Sequence, residues 1–343
     1  MSNVAKLAQW EWFKLQRRWM PWILLGILLL FSQLVVWGRF FSYNNLQDHL
    51  QDSGIVVPLF GTGDPGPQGR LQVISIASCN VLETDPSAIL PVGTPSKVVA
   101  DLLTRCQQLQ AQLQRQYEGF TLPGSLPSAF EIARAIGLIL FAILTASAIG
   151  SDYGLGTLRP ILTRGVGRLP YLAGKFHMLI GAAAGALIVV GIATAVSSLI
   201  ATGITETPAG GAAAATTWAD AGIAIGKTWI SLIPYIALTA TVTIWMRSAA
   251  AGMGIGLGYY FAEGLLTALL STLFDWFRTI DDYLLIRNID AFADGSLSFG
   301  SGSINSAIGV GQAAIILALY TVALAGIAIR LFRQRDVTGA SGG

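Results

Sequence analysis

Long apolar runs separated by short basic stretches dominate this chain. Six runs, at 22–38, 129–149, 176–202, 222–246, 248–274 and 308–331, carry at most two charged residues each. A helix rising 1.5 Å per residue needs about 20 apolar residues to cross about 30 Å of hydrocarbon, so each run predicts a membrane-spanning helix. The first run is long, lacks a small-residue cleavage site and is followed by Arg39, so an uncleaved span is expected. Ahead of it, Val4, Ala8, Trp12, Leu15 and Trp19 recur every three or four residues, with Lys6, Lys14 and Arg17 elsewhere on the wheel. That pattern predicts a helix lying in the membrane interface, and Pro21 marks the turn into the first span.

Two longer polar stretches interrupt the runs. Residues 42–128 open with turn-forming sequence around Gly61-Thr62-Gly63-Asp64-Pro65 and continue into a polar helix predicted over 96–117, with Ser96 as its N-cap. Leu102, Leu103, Leu109 and Leu113 give that helix an apolar face. Residues 275–305 mix apolar and charged positions too closely to cross a membrane, which predicts short interfacial or re-entrant helices. The expected fold is therefore an all-α integral membrane protein. It has an interfacial helix at 1–20, span one at 21–41, a small extracytoplasmic domain at 42–128, spans two to six within 129–331, and a tail at 332–343.

Composition narrows the class. Hydrophobic residues make up 53% and charged residues 12% of the 343 positions, and the mean hydropathy is +0.61. A water-exposed globule carries roughly 25% charge, so a single soluble globule is excluded, and so is a disordered chain. Lysine and arginine then set direction. Lys6, Lys14, Arg17, Arg18, Arg159, Arg164, Arg168, Lys175, Arg247, Arg330, Arg333 and Arg335 all fall on one side if the N-terminus is cytoplasmic. Only Glu11, Asp152 and Asp336 join them there. The expected setting is the plasma or inner membrane with both termini in the cytoplasm. All nine tryptophans lie on the leading helix or within a turn or two of a predicted span end, at headgroup level.

Chemistry-bearing residues are sparse. Cys79 and Cys106 both fall in the 42–128 domain, where they form either a disulfide or two thiols; a bond would stabilise the domain by roughly 3–4 kcal/mol. Glu263 lies near the middle of the fifth span, where it must be protonated, paired or in a polar cavity, with Arg134 as a candidate partner. It is either a pathway residue or a structural hydrogen bond that fixes packing. Gly181/Gly185, Gly222/Gly226 and Gly254/Gly258 have the spacing that lets helices approach closely. His49 and His177 are isolated, so no metal site is expected. Residues 221–228 loosely fit a phosphate-binding loop, but they open an apolar span and lack the required preceding strand. No catalytic constellation is found.

The most informative segment is the loop at 150–175. It reads Ser151-Asp152-Tyr153-Gly154-Leu155-Gly156-Thr157-Leu158-Arg159-Pro160, with Arg164, Arg168 and Lys175 following. It is basic on balance, with Leu155, Leu158, Ile161 and Leu162 at helical spacing. Such a piece can lie against the inner membrane surface and offer a knob to a partner, or be a plain topogenic loop.

An acidic residue, an aromatic, then Gly-Thr-x-Arg and a later Arg after the second span resembles the cytoplasmic loop of type-2 ABC exporter permeases. The leading Glu11-Trp12-Phe13-Lys14-Leu15-Gln16-Arg17-Arg18 and the closing Phe332-Arg333-Gln334-Arg335-Asp336 are similar to that family's termini, and six spans match its layout. The resemblance implies that the loop is a coupling helix docking on a separate cytosolic ATPase. Asp152, Tyr153, Leu155, Gly156, Thr157, Leu158 and Arg159 would serve that dock. Arg164 and Arg168, with Lys14, Arg17 and Arg18, would meet lipid headgroups at the inner interface. It also implies a second permease copy or paralogue, ATP and magnesium on the ATPase rather than on this chain, no enzymatic role for the chain and no nucleic acid. Two other classes stay open: a structural or sensory subunit working through the 42–128 domain, and an intramembrane enzyme.

Overall fold

The computed structural model describes residues 3–53, 55–59, 70–74, 81–85, 90, 96–163, 167–205, 216–293 and 308–334. Helices dominate: α1 Asn3–Gln16, α2 Trp19–Ser53, α3 Ser96–Phe120, α4 Ser125–Gly154, α5 Leu158–Thr163, α6 Arg168–Gly203, α7 Trp218–Met246, α8 Ala249–Leu273, α9 Asp275–Asp281, α10 Leu285–Ala293 and α11 Val310–Gln334. Six of them, α2, α4, α6, α7, α8 and α11, are long and apolar enough to cross a membrane. One departure from an all-α fold is an antiparallel ribbon, β1 Ile55–Leu59 and β2 Arg70–Ile74, in register from Ile55 opposite Ile74 to Leu59 opposite Arg70. It flanks the glycine- and proline-rich stretch in which no regular element was expected.

Helix starts follow local chemistry. In α2, α4, α5 and α6 the third residue is a proline: Pro21, Pro127, Pro160 and Pro170. The first four N–H groups of a helix have no intrahelical acceptor, so proline loses no bond there and its fixed φ favours the helix. In α8 Ser248 is the N-cap, its hydroxyl accepting from the Ala251 N–H at 3.3 Å. Pro234, by contrast, sits inside α7 and leaves the Ile230 carbonyl without its usual donor.

Helix lengths differ from the expected spans. α2 continues through polar Ser42, Asn44 and Asn45 to Ser53 instead of ending near 41. Its 35 residues correspond to about 52 Å, well beyond the hydrocarbon thickness. The chain divides into two compact units: one comprises Met1–Gln33, Leu126–Ala193 and Ala219–Gly343, the other Leu34–Ser125 and Thr194–Trp218.

In the second unit the core is aromatic. Phe40 and Tyr43 of α2 meet Tyr117 and Phe120 of α3, the ring pairs 5.4 to 5.7 Å apart and mostly tilted or edge-on, beside Val36, Leu113 and Ala201. Such pairs add about 0.5–1.5 kcal/mol beyond area burial. The polar helix expected at 96–117 is α3, three residues longer. Cys106, buried on α3, is disulfide-bonded; Cys79 lies outside the described residues.

In the first unit α4 and α7 form the interior: 67% and 61% of their most apolar windows are buried, against 22% for α8 and 17% for α11. Close approach rests on glycines other than those with the expected spacing. A Cβ on Gly150 would lie 2.5 Å from the Ala249 Cα and 2.6 Å from its N, so α4 and the start of α8 touch backbone to backbone. Gly252 likewise fits against Thr243 and Ala146. Added methyls at Gly181, Gly222, Gly226, Gly254 and Gly258 would meet nothing within 4 Å. Gly150→Ala is expected to destabilise the chain by about 1–3 kcal/mol, because backbone must shift to admit the methyl. Thermal unfolding in detergent checks this, with Gly254→Ala as the near-neutral comparison.

Candidate functional site

Behind the 150–175 loop, three helices are pinned by buried charges. Lys175, on the second turn of α6, is 2% exposed. An ammonium group has three protons and no acceptor, and here all three are matched. One goes to Glu11 Oε2 of α1 at 3.1 Å, one to the Ala148 carbonyl of α4 at 2.7 Å, and one to Asp152 Oδ2 at the end of α4. Asp152 also accepts from the Tyr171 hydroxyl, and Tyr171 lies one helical turn before Lys175 on the same face. Glu11 is closed on its other oxygen by Lys14 at 2.8 Å. Two acids and two lysines therefore balance in a pocket where Glu11 and Asp152 are each 4% exposed. The Tyr171 ring stacks on Phe332 of α11, centroids 6.1 Å apart at 16°. Arg168 donates to the Arg333 carbonyl at 2.8 Å, so the last turn of α11 joins the same cluster.

The loop tip faces away from this cluster. Gly154, Leu155 and Gly156 are exposed, Leu155 by 70%. Gly156 has φ +62°, a left-handed conformation that reverses the chain between α4 and α5 and that a β-branched or bulky residue resists. Thr157 turns back, its hydroxyl 3.4 Å from Asp152 Oδ1.

The seven residues expected to serve one dock therefore divide. Leu155 and Gly156 present a surface, and Tyr153 is half-buried. Asp152 and Leu158, at 4% and 3% exposure, face the protein and support the loop from behind. Arg164 and the side chain of Arg159 lie outside the described residues. Of the cations expected at headgroups, Lys14 pairs with Glu11, Arg18 reaches the Ser151 hydroxyl at 3.1 Å and Arg168 caps α11, while Arg17 stays exposed over the Phe13 ring. Along the leading helix Glu11 and Leu15 are buried, while Trp12, of the same apolar stripe as Leu15, is 37% exposed; Trp19, 84% exposed, opens α2.

A second polar cluster holds the short helices. Asp290 of α10 pairs with Arg134 of α4, not Glu263 with Arg134 as expected. Arg134 is fully buried, some 14 Å along α4 from Ser125. Glu263 of α8 instead accepts from the Arg287 N–H at 2.9 Å. α10 begins at Leu285 after Leu284, which has no side-chain oxygen to cap it. The Glu263 carboxylate thus takes the place of an N-cap from a neighbouring helix, favoured also by the helix dipole. Thr267 bonds Asp281 at 2.7 Å, and Arg287 lies 3.4 Å from Asp281. This is a packing arrangement that returns the 275–293 segment onto α8 and α4.

Glu263→Gln keeps an acceptor and is expected to retain stability, whereas Glu263→Ala should lose about 1–2 kcal/mol. Unfolding in detergent separates them; equal losses would point away from capping.

Residues 221–228 lie within α7 as continuous helix, with no loop to cradle phosphate. Among the described residues no group of three His, Cys, Asp or Glu is placed to hold a metal.

Tyr171, Lys175 and Asp290 were not singled out from the sequence. A signal existed for the first cluster: Glu11 and Asp152 are isolated acids in basic segments, and Tyr171 and Lys175 are one turn apart.

The class defined by this architecture is a multi-pass helical protein whose six long apolar helices can each cross a membrane. Residues 118–338, well over half of the 343-residue chain, match the family described as "Protein of unknown function (DUF2705)", and the chain belongs to that family. The match takes in the loop, Asp152, Tyr171, Lys175 and the α9–α10 pair, and leaves out α1 with Glu11. No curated protein and no solved structure matches the chain.

Proposed function

We propose that the chain is the permease subunit of an ATP-binding-cassette exporter. It forms the translocation pathway with a second permease copy or paralogue, and a separate cytosolic ATPase binds ATP and magnesium. In this reading the chain performs no covalent chemistry. Both termini and the 150–175 loop face the cytoplasm, the arrangement favoured by the basic residues gathered in those segments.

The observation that carries the reading is the pairing of an exposed apolar tip with a rigid, charge-locked base. Leu155 is 70% exposed at the loop tip, flanked by Gly154 and Gly156, where a partner can cover it. Its base is fixed through Asp152 and Lys175 to α1, α4 and α6 at once. A push on the tip is thereby passed to three helices instead of being absorbed by a slack connection. ATP-driven closure of paired ATPases would shift the population between inward-open and outward-open arrangements, by as much as the ATPase binds the two states differently.

The test places a photo-crosslinking amino acid at position 155 in native membranes. The expected adduct is an ATP-binding polypeptide of the cytosol; adducts with lipid alone would overturn the reading.

A further inference from the structure

We propose that the chain carries a built-in site for one acyl chain of an anionic phospholipid, between α1, α2, α4 and α6. A cavity of about 220 Å³ lies there, lined by Trp12 and Leu15 of α1, Trp22 and Leu28 of α2, Leu144 of α4 and Ala186 of α6, among other residues. Its lining is almost wholly apolar, and the one polar atom of Trp22 is satisfied, its indole N–H donating to the Gln16 carbonyl at 2.9 Å. Water needs two to four polar partners to settle in such a space, so water does not fill it. Left empty, its wall would lose dispersion contacts that a hydrocarbon chain supplies. Three of its four walls are helices that can cross a membrane, so lipid tails are the apolar matter at hand.

Charge in the adjoining turn selects the headgroup. Gln16 and Pro21 both line the cavity, and the turn between them carries Arg17 and Arg18. Arg18 is engaged with Ser151, while Arg17 is exposed, its guanidinium 4.3 Å from the Phe13 ring centroid. An arginine at that level attracts an anionic headgroup and gives a zwitterionic one much less. The Gln16–Trp22 hydrogen bond closes the turn that carries both arginines, between two residues of the cavity lining. The proposal does not depend on the transport reading.

Native mass spectrometry of the detergent-purified chain tests it, with phosphatidylglycerol and phosphatidylcholine of identical chains as probes. One phosphatidylglycerol per chain is expected to be retained, about fivefold over phosphatidylcholine. Ala186→Phe fills the cavity from a half-buried position and leaves the buried α6 face of Ala183, Leu187 and Val190 untouched. It is expected to lower retention of both lipids by more than about tenfold, since several methylenes lose their site. Arg17→Glu, on the surface, is expected to abolish the preference for the anionic lipid and decides the matter even if Ala186→Phe fails to fold. Equal retention of the two lipids by the wild type, or an unchanged preference in Arg17→Glu, would overturn the proposal. So would undiminished lipid in a folded Ala186→Phe.

Discussion

Lys175→Met is expected to destabilise the chain by about 3–5 kcal/mol, the largest loss of any single change considered. Methionine is close to lysine in volume, though one atom shorter, so the effect is chiefly electrostatic. Removing the ammonium leaves Glu11 and Asp152 buried, with the partner they share gone and the Ala148 carbonyl short of a donor. Breaking one side of a buried ion pair is far more damaging than removing the whole set. Glu11→Gln, Asp152→Asn and Lys175→Met together are therefore expected to regain much of the lost stability. Thermal unfolding of the purified single and triple variants measures both. Equal, small losses in the two would show that the cluster is better hydrated than its burial indicates. If the proposed coupling is right, the triple variant should be folded yet poor at linking transport to ATP hydrolysis, because the loop base is no longer locked.

Leu155→Asp is expected to have the opposite profile. The side chain is 70% exposed, so unfolding should move by less than about 0.5 kcal/mol. In the proposed complex Leu155 is buried by the ATPase. Putting a carboxylate there leaves an unpaired charge in an apolar contact, a penalty of at least about 2–5 kcal/mol in association and a loss of more than about thirtyfold in affinity. Quantifying ATPase retained on the tagged chain against salt-washed controls reads this directly. Full retention would remove Leu155 from the interface.

Much of the fold was legible because its signals are local. Twenty-residue apolar runs, prolines near helix starts and a polar stretch after Ser96 each declare themselves within a few turns of chain. Helix persistence was less legible: α2 passes polar Asn44 and Asn45 because Phe40 and Tyr43, on its continuing face, pack on Tyr117 and Phe120. Partner choice was not legible at all. Glu11 and Lys175 are 164 positions apart, and Arg134 and Asp290 are 156 apart. No periodicity reports which of several acids a buried cation meets. Glu263 was recognisable as a buried acid, but its role depends on Leu284 being unable to cap α10, which matters only once α10 lies against α8. The glycine spacings misled for a related reason: four-residue spacing identifies a smooth face, while Gly150 and Gly252 show that contact depends on what stands opposite.

The central claim is that this chain works with someone else's nucleotide through its 150–175 loop. The most direct measurement is the ATPase activity and subunit composition of the tagged chain isolated from its own membrane in mild detergent. A stoichiometric ATP-hydrolysing subunit, present with the wild type and absent with folded Leu155→Asp, is the expected result. A wild-type chain that comes away intact with no nucleotide-hydrolysing partner would contradict it.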